Sequence, residues 1–305
     1  MADFEGVYSV LPTPFTADGE IDFESLRRVV DLYVGAAVQG LTVLGVTGEV
    51  ARLSEPERSA VLREVIQQVA GRVPVVVGTS ADGLKKCIDY TREARGAGAG
   101  AVMISPPRMP KLNSAAVVAH YRAVAEAVDV PIVVQDYPPI SGYAMEPQLL
   151  VRIAREVGAV RAIKLEDPPT PLKTARILEL AGGEPIAILG GLGGVYLIEE
   201  LLAGAAGAMT GFAYPEILVE VVHRFRAGEV DQAAKLFYRY VPLMRFEFQE
   251  GIGMALRKEV LRRRGALAHA GIRAPGAGLN DSTRAALDRV LEYARAQPDA
   301  ARFGL

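Results

Sequence analysis

Between Gly6 and Arg226 the chain switches repeatedly between two hydrophobic periods. Short runs rich in Val, Ile and Leu predict strands at residues 6–11, 41–46, 73–79, 101–105, 131–136, 160–166, 186–190 and 208–212. After each of them apolar residues recur at helical spacing, predicting helices at residues 23–38, 56–70, 84–97, 114–128, 147–157, 172–180, 195–203 and 216–226. Strands alternating with crossover helices build a parallel sheet, and eight such units are the number that closes a (β/α)8 TIM barrel. A doubly wound open sheet is the competing α/β architecture. It calls for a Gly-rich turn after the first strand, whereas Leu11 here runs into Pro12, Thr13 and Pro14.

Local chemistry supports several of these boundaries. Ser54 and Glu57 fit a capping box, and Asn113 and Ser114 precede an apolar-periodic run. Gly71, Gly158, Gly204 and Gly228 read as helix ends. Beyond Gly228 the alternation stops and only helical patterns remain, at residues 230–249, 252–264 and 282–297. The expected organisation is a barrel over residues 1–228 and a C-terminal helical appendage over residues 229–305, packed on the barrel or used in subunit contacts.

Composition narrows the class without changing this picture. The 305 residues are 50% hydrophobic and 23% charged, as in a globular protein with a sizeable core. A net charge of −2 gives no nucleic-acid or membrane signature. The run Arg262, Arg263, Arg264 reads as a solvated helix face. Cys87 is the single cysteine, so no intrachain disulfide is possible, and it reads as a passive helix residue. The N-terminal MADFEGVYSV lacks a basic segment followed by a long apolar core, and no run of 18 apolar residues occurs, so a cytoplasmic enzyme is expected. His120, His223 and His269 lie far apart without ligand-like spacing; each is expected on a helix surface, and no metal is expected.

The residue with the most pointed chemistry is Lys164, within VRAIKLED. In strand alternation Ala162, Lys164 and Glu166 share one face, and Arg161, Ile163 and Leu165 the other. Burial disfavours the charged ammonium and leaves a free amine able to attack a carbonyl. The bland alternative is a strand-end lysine reaching into solvent. In a barrel the active site lies at the C-terminal strand ends. There the second strand finishes in Gly45, Val46, Thr47, Gly48 and Glu49, where two glycines around a threonine offer amides and a hydroxyl to a carboxylate. An ordinary tight turn is the equal alternative. The fifth strand ends in Gln135, Asp136, Tyr137, Pro138 and Pro139.

Together these three stretches resemble the dihydrodipicolinate synthase and N-acetylneuraminate lyase family of pyruvate-type class I aldolases. The likeness runs from GVYSVLPTPF through GVTGE to AIKLED, GGLGG and the helical tail, with GVTGE and the lysine about 115 positions apart. It implies that Lys164 is the Schiff-base lysine and that Thr47, with the amides around Gly48, holds the substrate's C1 carboxylate. It implies that Gly191 lines the pocket with its backbone. It further implies a small 2-oxo acid substrate, no cofactor, and a homotetramer built as a dimer of dimers.

The departures from the family pattern are equally informative. Where the family has a proton-shuttling tyrosine at the end of the fifth strand, this chain has Gln135; an amide can orient but cannot shuttle a proton near neutral pH. Tyr137, two residues on, is a partial substitute, although the prolines after it argue for a turn. The positions of the threonine and second tyrosine of the synthase relay are held by Val46 and Arg108. Synthesis of the lysine precursor is therefore not expected. The stretches around Gln135 to Pro138, LEDPPTP and Arg245 to Gln249 are similar to the sugar-acid branch of the family, which includes 2-keto-3-deoxy-sugar-acid dehydratases. The expected reaction is dehydration of such an acid, with Glu166 as candidate proton donor and Arg108 meeting a second carboxylate or a hydroxyl, or simply lying in a surface loop. The alternatives are a pyruvate-dependent aldolase and a non-catalytic carboxylate-binding barrel. An inward lysine argues against the last, because an uncompensated buried ammonium is costly.

Overall fold

The computed structural model describes residues 4–305, so the barrel start expected at residue 1 lies outside the described residues. Eight parallel strands close on themselves in sequence order: β1 (Gly6–Val10), β2 (Gly40–Val43), β3 (Val75–Gly78), β4 (Ala101–Ile104), β5 (Ile132–Asp136), β6 (Val160–Leu165), β7 (Ala187–Gly190) and β8 (Gly207–Thr210). Around them run α1 (Phe23–Gly35), α2 (Glu55–Val69), α3 (Leu84–Ala97), α4 (Ser114–Ala127), the single turn α5 (Pro138–Ser141), α6 (Pro147–Glu156), α7 (Thr170–Ala181), α8 (Leu197–Leu202) and α9 (Pro215–Arg226). The chain finishes in α10 (Val230–Glu247), α11 (Gly253–Arg263) and α12 (Asp281–Arg295). The open-sheet alternative is excluded by the pairing of β1 with β8.

Strand alternation sorts the apolar residues into two cores. Tyr8, Val76, Met103, Val133, Ala162, Leu189 and Met209 fill the barrel interior, while a larger cluster, including Leu41, Val134, Ile163, Leu165 and Ile188, seals the barrel against its helices. Burying each such side chain contributes about 1.5–3 kcal/mol. One irregularity matters for function. Between Ile132 and Val133 the β5–β6 register shifts, so that Val160 pairs with Ile132, Ala162 pairs with Val133, and Arg161 is passed over. This bulge rephases β6 by one residue. Val160 belongs to the outer core, yet Ala162 faces inward, and Lys164 with it.

Capping behaves as the sequence indicates at α2, where Ser54 and Glu57 form the reciprocal capping box, and at α4, where Asn113 accepts from Ala116 N. Gly71, Gly204 and Gly228 take positive φ, but Gly158 does not; α6 ends at Val157 without a left-handed cap. The turn α5 was not anticipated: Pro138 and Pro139 start a helix rather than forbid one, because the first helical positions need no amide donor. His120 is buried, against the expected surface position, and His269 lies in a loop after α11. Cys87 is buried on α3, and burial pushes its thiol up to about 11.

The C-terminal helices return to the start of the barrel. Helix α10 packs along α9, and α12 along α10. From α11, Lys258 pairs with Glu49 while donating to Gly271 O at 2.9 Å. Arg273 donates to Glu57 Oε1 and to Gly19 O, both at 2.6 Å. The Lys258 ammonium and the Arg273 guanidinium each lie 4.4 Å from the centre of the Phe15 ring. The loops after β1 and β2 are thus cross-linked by the tail.

Candidate active site

At the C-terminal end of the barrel, Lys164 on β6 stands in register with Gln135 on β5. Lys164 is 5% exposed and its Nζ lies 3.2 Å from Glu166 Oε2. The same carboxylate oxygen accepts from Gln135 Nε2 at 2.7 Å, and Gln135 Oε1 accepts from Ser105 Oγ at 2.9 Å. Ser105, the residue after β4, donates its own amide to Ser80 Oγ at 2.9 Å. A polar chain therefore crosses the mouth from the end of β3 to the end of β6. Glu166 has room to lean inward because Gly191 follows β7: a Cβ there would lie 2.3 Å from Glu166 Cγ.

Outside this chain, burial dominates the electrostatics. Tyr137 is half-buried at the start of α5, and desolvation, with the nearby carboxylates of Glu166 and Glu250, holds its phenol up. Asp136 points to the opposite face from Gln135; burial pushes its carboxyl up to about 6 even though Lys173 Nζ lies 2.6 Å away. Lys173 also reaches Asp167 at 2.7 Å, pinning the residues that flank Glu166. Glu200, from α8, fills the space that a side chain at Gly190 would need and is pushed up to about 7 by desolvation.

Val46, Thr47 and Gly48 form a single 3-10 turn after β2. Thr13 Oγ1 donates to Gly48 O at 2.6 Å, so the Pro12–Pro14 loop braces this turn. The Thr47 hydroxyl is buried and has no partner in the protein. Glu49 does not join it. Its carboxylate is turned toward Lys258 and also accepts from Arg273 N at 3.2 Å.

Arg108 is exposed, and its guanidinium donates to Ile140 O at 2.7 Å while its amide donates to Asp82 Oδ1 at 2.9 Å. It ties the loop after β4 to α5, the surface-loop alternative of the two readings. Beside it a cleft of about 410 Å³ opens between Leu53, Ser80, Ser105 and Ile140. Two further hollows, around Gly158 and Arg161, lie at the opposite end of the strands from Lys164.

The structure thus brings Lys164, Gln135, Glu166 and Gly191 together, with Tyr137 beside them, and turns Arg108 outward. Sequence reasoning missed Ser105, although the alternation Ala101, Met103, Ser105 directs it inward. It also missed Phe248 of the tail, which packs where a side chain at Gly193 would sit. Among the described residues no group of three His, Cys, Asp or Glu is placed to hold a metal, and no helix is long and apolar enough to cross a membrane. An amine, a carboxyl group and an amide within hydrogen-bond reach can form an imine and move a proton beside it.

A model of the dihydrodipicolinate synthetase family matches residues 3–294. An L-2-keto-3-deoxyarabonate dehydratase from Azospirillum brasilense is 33% identical over 92% of each chain. A 4-hydroxy-tetrahydrodipicolinate synthase from Methanothrix thermoacetophila is 34% identical over 94% of this chain and 96% of its own. The crystal structure of a dihydrodipicolinate synthase from Rhodopseudomonas palustris superimposes with a TM-score of 0.90, at 38% identity, over 96% of this chain and 98% of the other.

Proposed function

The chain belongs to the dihydrodipicolinate synthetase family and is a lyase, and from that premise we propose that it dehydrates a 2-keto-3-deoxy sugar acid through a Schiff base on Lys164. The observation that carries the reading is the Gln135–Glu166–Lys164 cluster. Lys164 attacks the C2 ketone, and loss of water gives the imine, with Thr47 and the Gly48 turn holding C1. The imine acidifies the C3 proton, and its transfer to a water bound at C3 gives an enamine. Expulsion of the C4 hydroxyl then needs a proton donor, and Glu166 is the acid within reach of the amine. Aldol cleavage instead needs a base on the C4 hydroxyl. Gln135, at the position of the family's tyrosine, is an amide that offers none.

The L-2-keto-3-deoxyarabonate dehydratase among the relatives supports this choice, while the synthases at comparable identity keep the family's condensation chemistry as the competing reading. The reading includes a homotetrameric assembly and a cytoplasmic location. A panel of five- and six-carbon 2-keto-3-deoxy acids tests it. Formation of a dehydrated oxo acid is the expected result; release of pyruvate and an aldehyde as the only products makes the protein an aldolase.

A further inference from the structure

We propose that Ser105 is a positioning residue that decides which oxygen of Glu166 carries the acid proton; this rests on the dehydratase reading above. A glutamine amide presents an oxygen on one side and an NH2 on the other, and its orientation is set by its partners. Here Ser105 is 3% exposed and Gln135 is 2% exposed, so no bulk water competes for either group. The Ser105 hydroxyl donates to Gln135 Oε1 at 2.9 Å, and this leaves Nε2 facing Glu166 Oε2 at 2.7 Å. In the reverse orientation the amide oxygen of Gln135 faces Glu166 Oε2, setting two acceptors against each other in a buried site, while Ser105 loses its acceptor on Gln135.

The consequence falls on Glu166. Its Oε2 faces donors from two sides, Gln135 Nε2 and Lys164 Nζ, and so remains an acceptor. When Glu166 is protonated, the proton is confined to Oε1. That oxygen lies 2.7 Å from where a Cβ at Gly191 would sit, in the space the glycine leaves open at the mouth of the barrel. Ser105 therefore keeps the acid proton on the oxygen free to face the substrate. Without the hydroxyl the amide is free to turn, and the protonated acid can then settle with its O–H on Oε2 donating to Gln135. That arrangement holds the proton away from the substrate.

The groups that face Glu166 are Lys164 on its own strand, Tyr137 after β5 and Glu200 from α8. Ser105→Ala leaves all three in place and removes only the anchor of the amide.

Wild type, Ser105→Ala and Ser105→Thr are compared for dehydration of the best substrate across the neutral pH range, and for borohydride trapping with pyruvate. For Ser105→Ala, kcat falls about ten-fold, the size of one buried hydrogen bond. Its KM changes by less than about two-fold, and trapping is unchanged. Ser105→Thr, which keeps the hydroxyl, restores kcat. Wild-type kcat in Ser105→Ala overturns the inference alone, as does a Ser105→Thr variant no better than the alanine. A wild-type protein that traps pyruvate but dehydrates no member of the panel removes the dehydratase reading and this inference with it.

Discussion

Gln135 Nε2 donates to Glu166 Oε2 across 2.7 Å, a bond that ties the C-terminal ends of neighbouring strands although 31 positions separate the residues. An amide in this place can hold a carboxyl group but cannot take its proton.

Glu166→Gln keeps the shape and a hydrogen-bonding group but removes the acid. Dehydration is expected to fall by about 10²–10⁴-fold in kcat, while pyruvate is still trapped on Lys164 by borohydride. Steady-state kinetics and intact mass on the same preparation check both halves. Unchanged dehydration removes Glu166 from the proposed mechanism.

Reductive trapping with pyruvate is expected to add one pyruvate-derived group per subunit, mapped to Lys164 by peptide mass. Lys164→Ala abolishes the adduct. An adduct of equal yield in that variant places the imine elsewhere.

The Thr47 hydroxyl, buried and unpartnered in the protein, is expected to bind the C1 carboxylate of every substrate alike. Thr47→Val then raises KM for each member of a substrate panel with little change in kcat, because binding common to ground and transition states is lost. A KM effect confined to one substrate makes it a specificity residue instead.

Glu49 and Lys258 form an ion pair whose side chains are 0% and 1% exposed, bridging the turn after β2 and α11. Lys258→Met leaves the buried Glu49 carboxylate with only the 3.5 Å contact to Arg52 and the Arg273 amide, so it is expected to destabilise by about 3 kcal/mol. The Glu49→Leu, Lys258→Met double variant loses less than that. Chemical denaturation of the three proteins checks the order; a double variant as unstable as Lys258→Met contradicts the account.

Glu200 is buried beside β7 with the Thr170 hydroxyl at 2.5 Å, and desolvation pushes its carboxyl from 4.5 up to about 7. The folded state therefore binds this proton more tightly than the unfolded chain. Its contribution to stability is complete below pH 4.5 and is lost as pH rises through about 7. Glu200→Gln stays neutral throughout, so it should match wild type in acid and exceed it above pH 7 by on the order of 2 kcal/mol. Urea midpoints in mildly acidic and mildly alkaline buffer decide the sign; a variant less stable than wild type in alkali means that Glu200 folds ionised.

Strand and helix positions were legible because hydrophobic period is a local property: eight β-type runs alternating with eight helical ones specify a closed parallel barrel. The same locality exposed Lys164, since alternation along a strand fixes which way each side chain points. Partnerships were not legible in that way. Whether Gln135 meets Glu166, and whether Ser105 anchors Gln135, depends on the register between strands, and the passing over of Arg161 sets that register by shifting β6 one residue against β5. Glu49 stands in the most recognisable stretch of the chain, yet its partner lies 209 positions away on α11. Arg108 invited a role at the substrate, and the fold of α5 turned it to the Ile140 carbonyl instead. Sequence by itself determined where the strands lie and that Ala162 and Lys164 share a face, because alternation follows from backbone geometry one residue at a time. Only closure of the barrel decided which inward groups touch, because hydrogen bonds a few ångströms long depend on how distant segments are packed against one another.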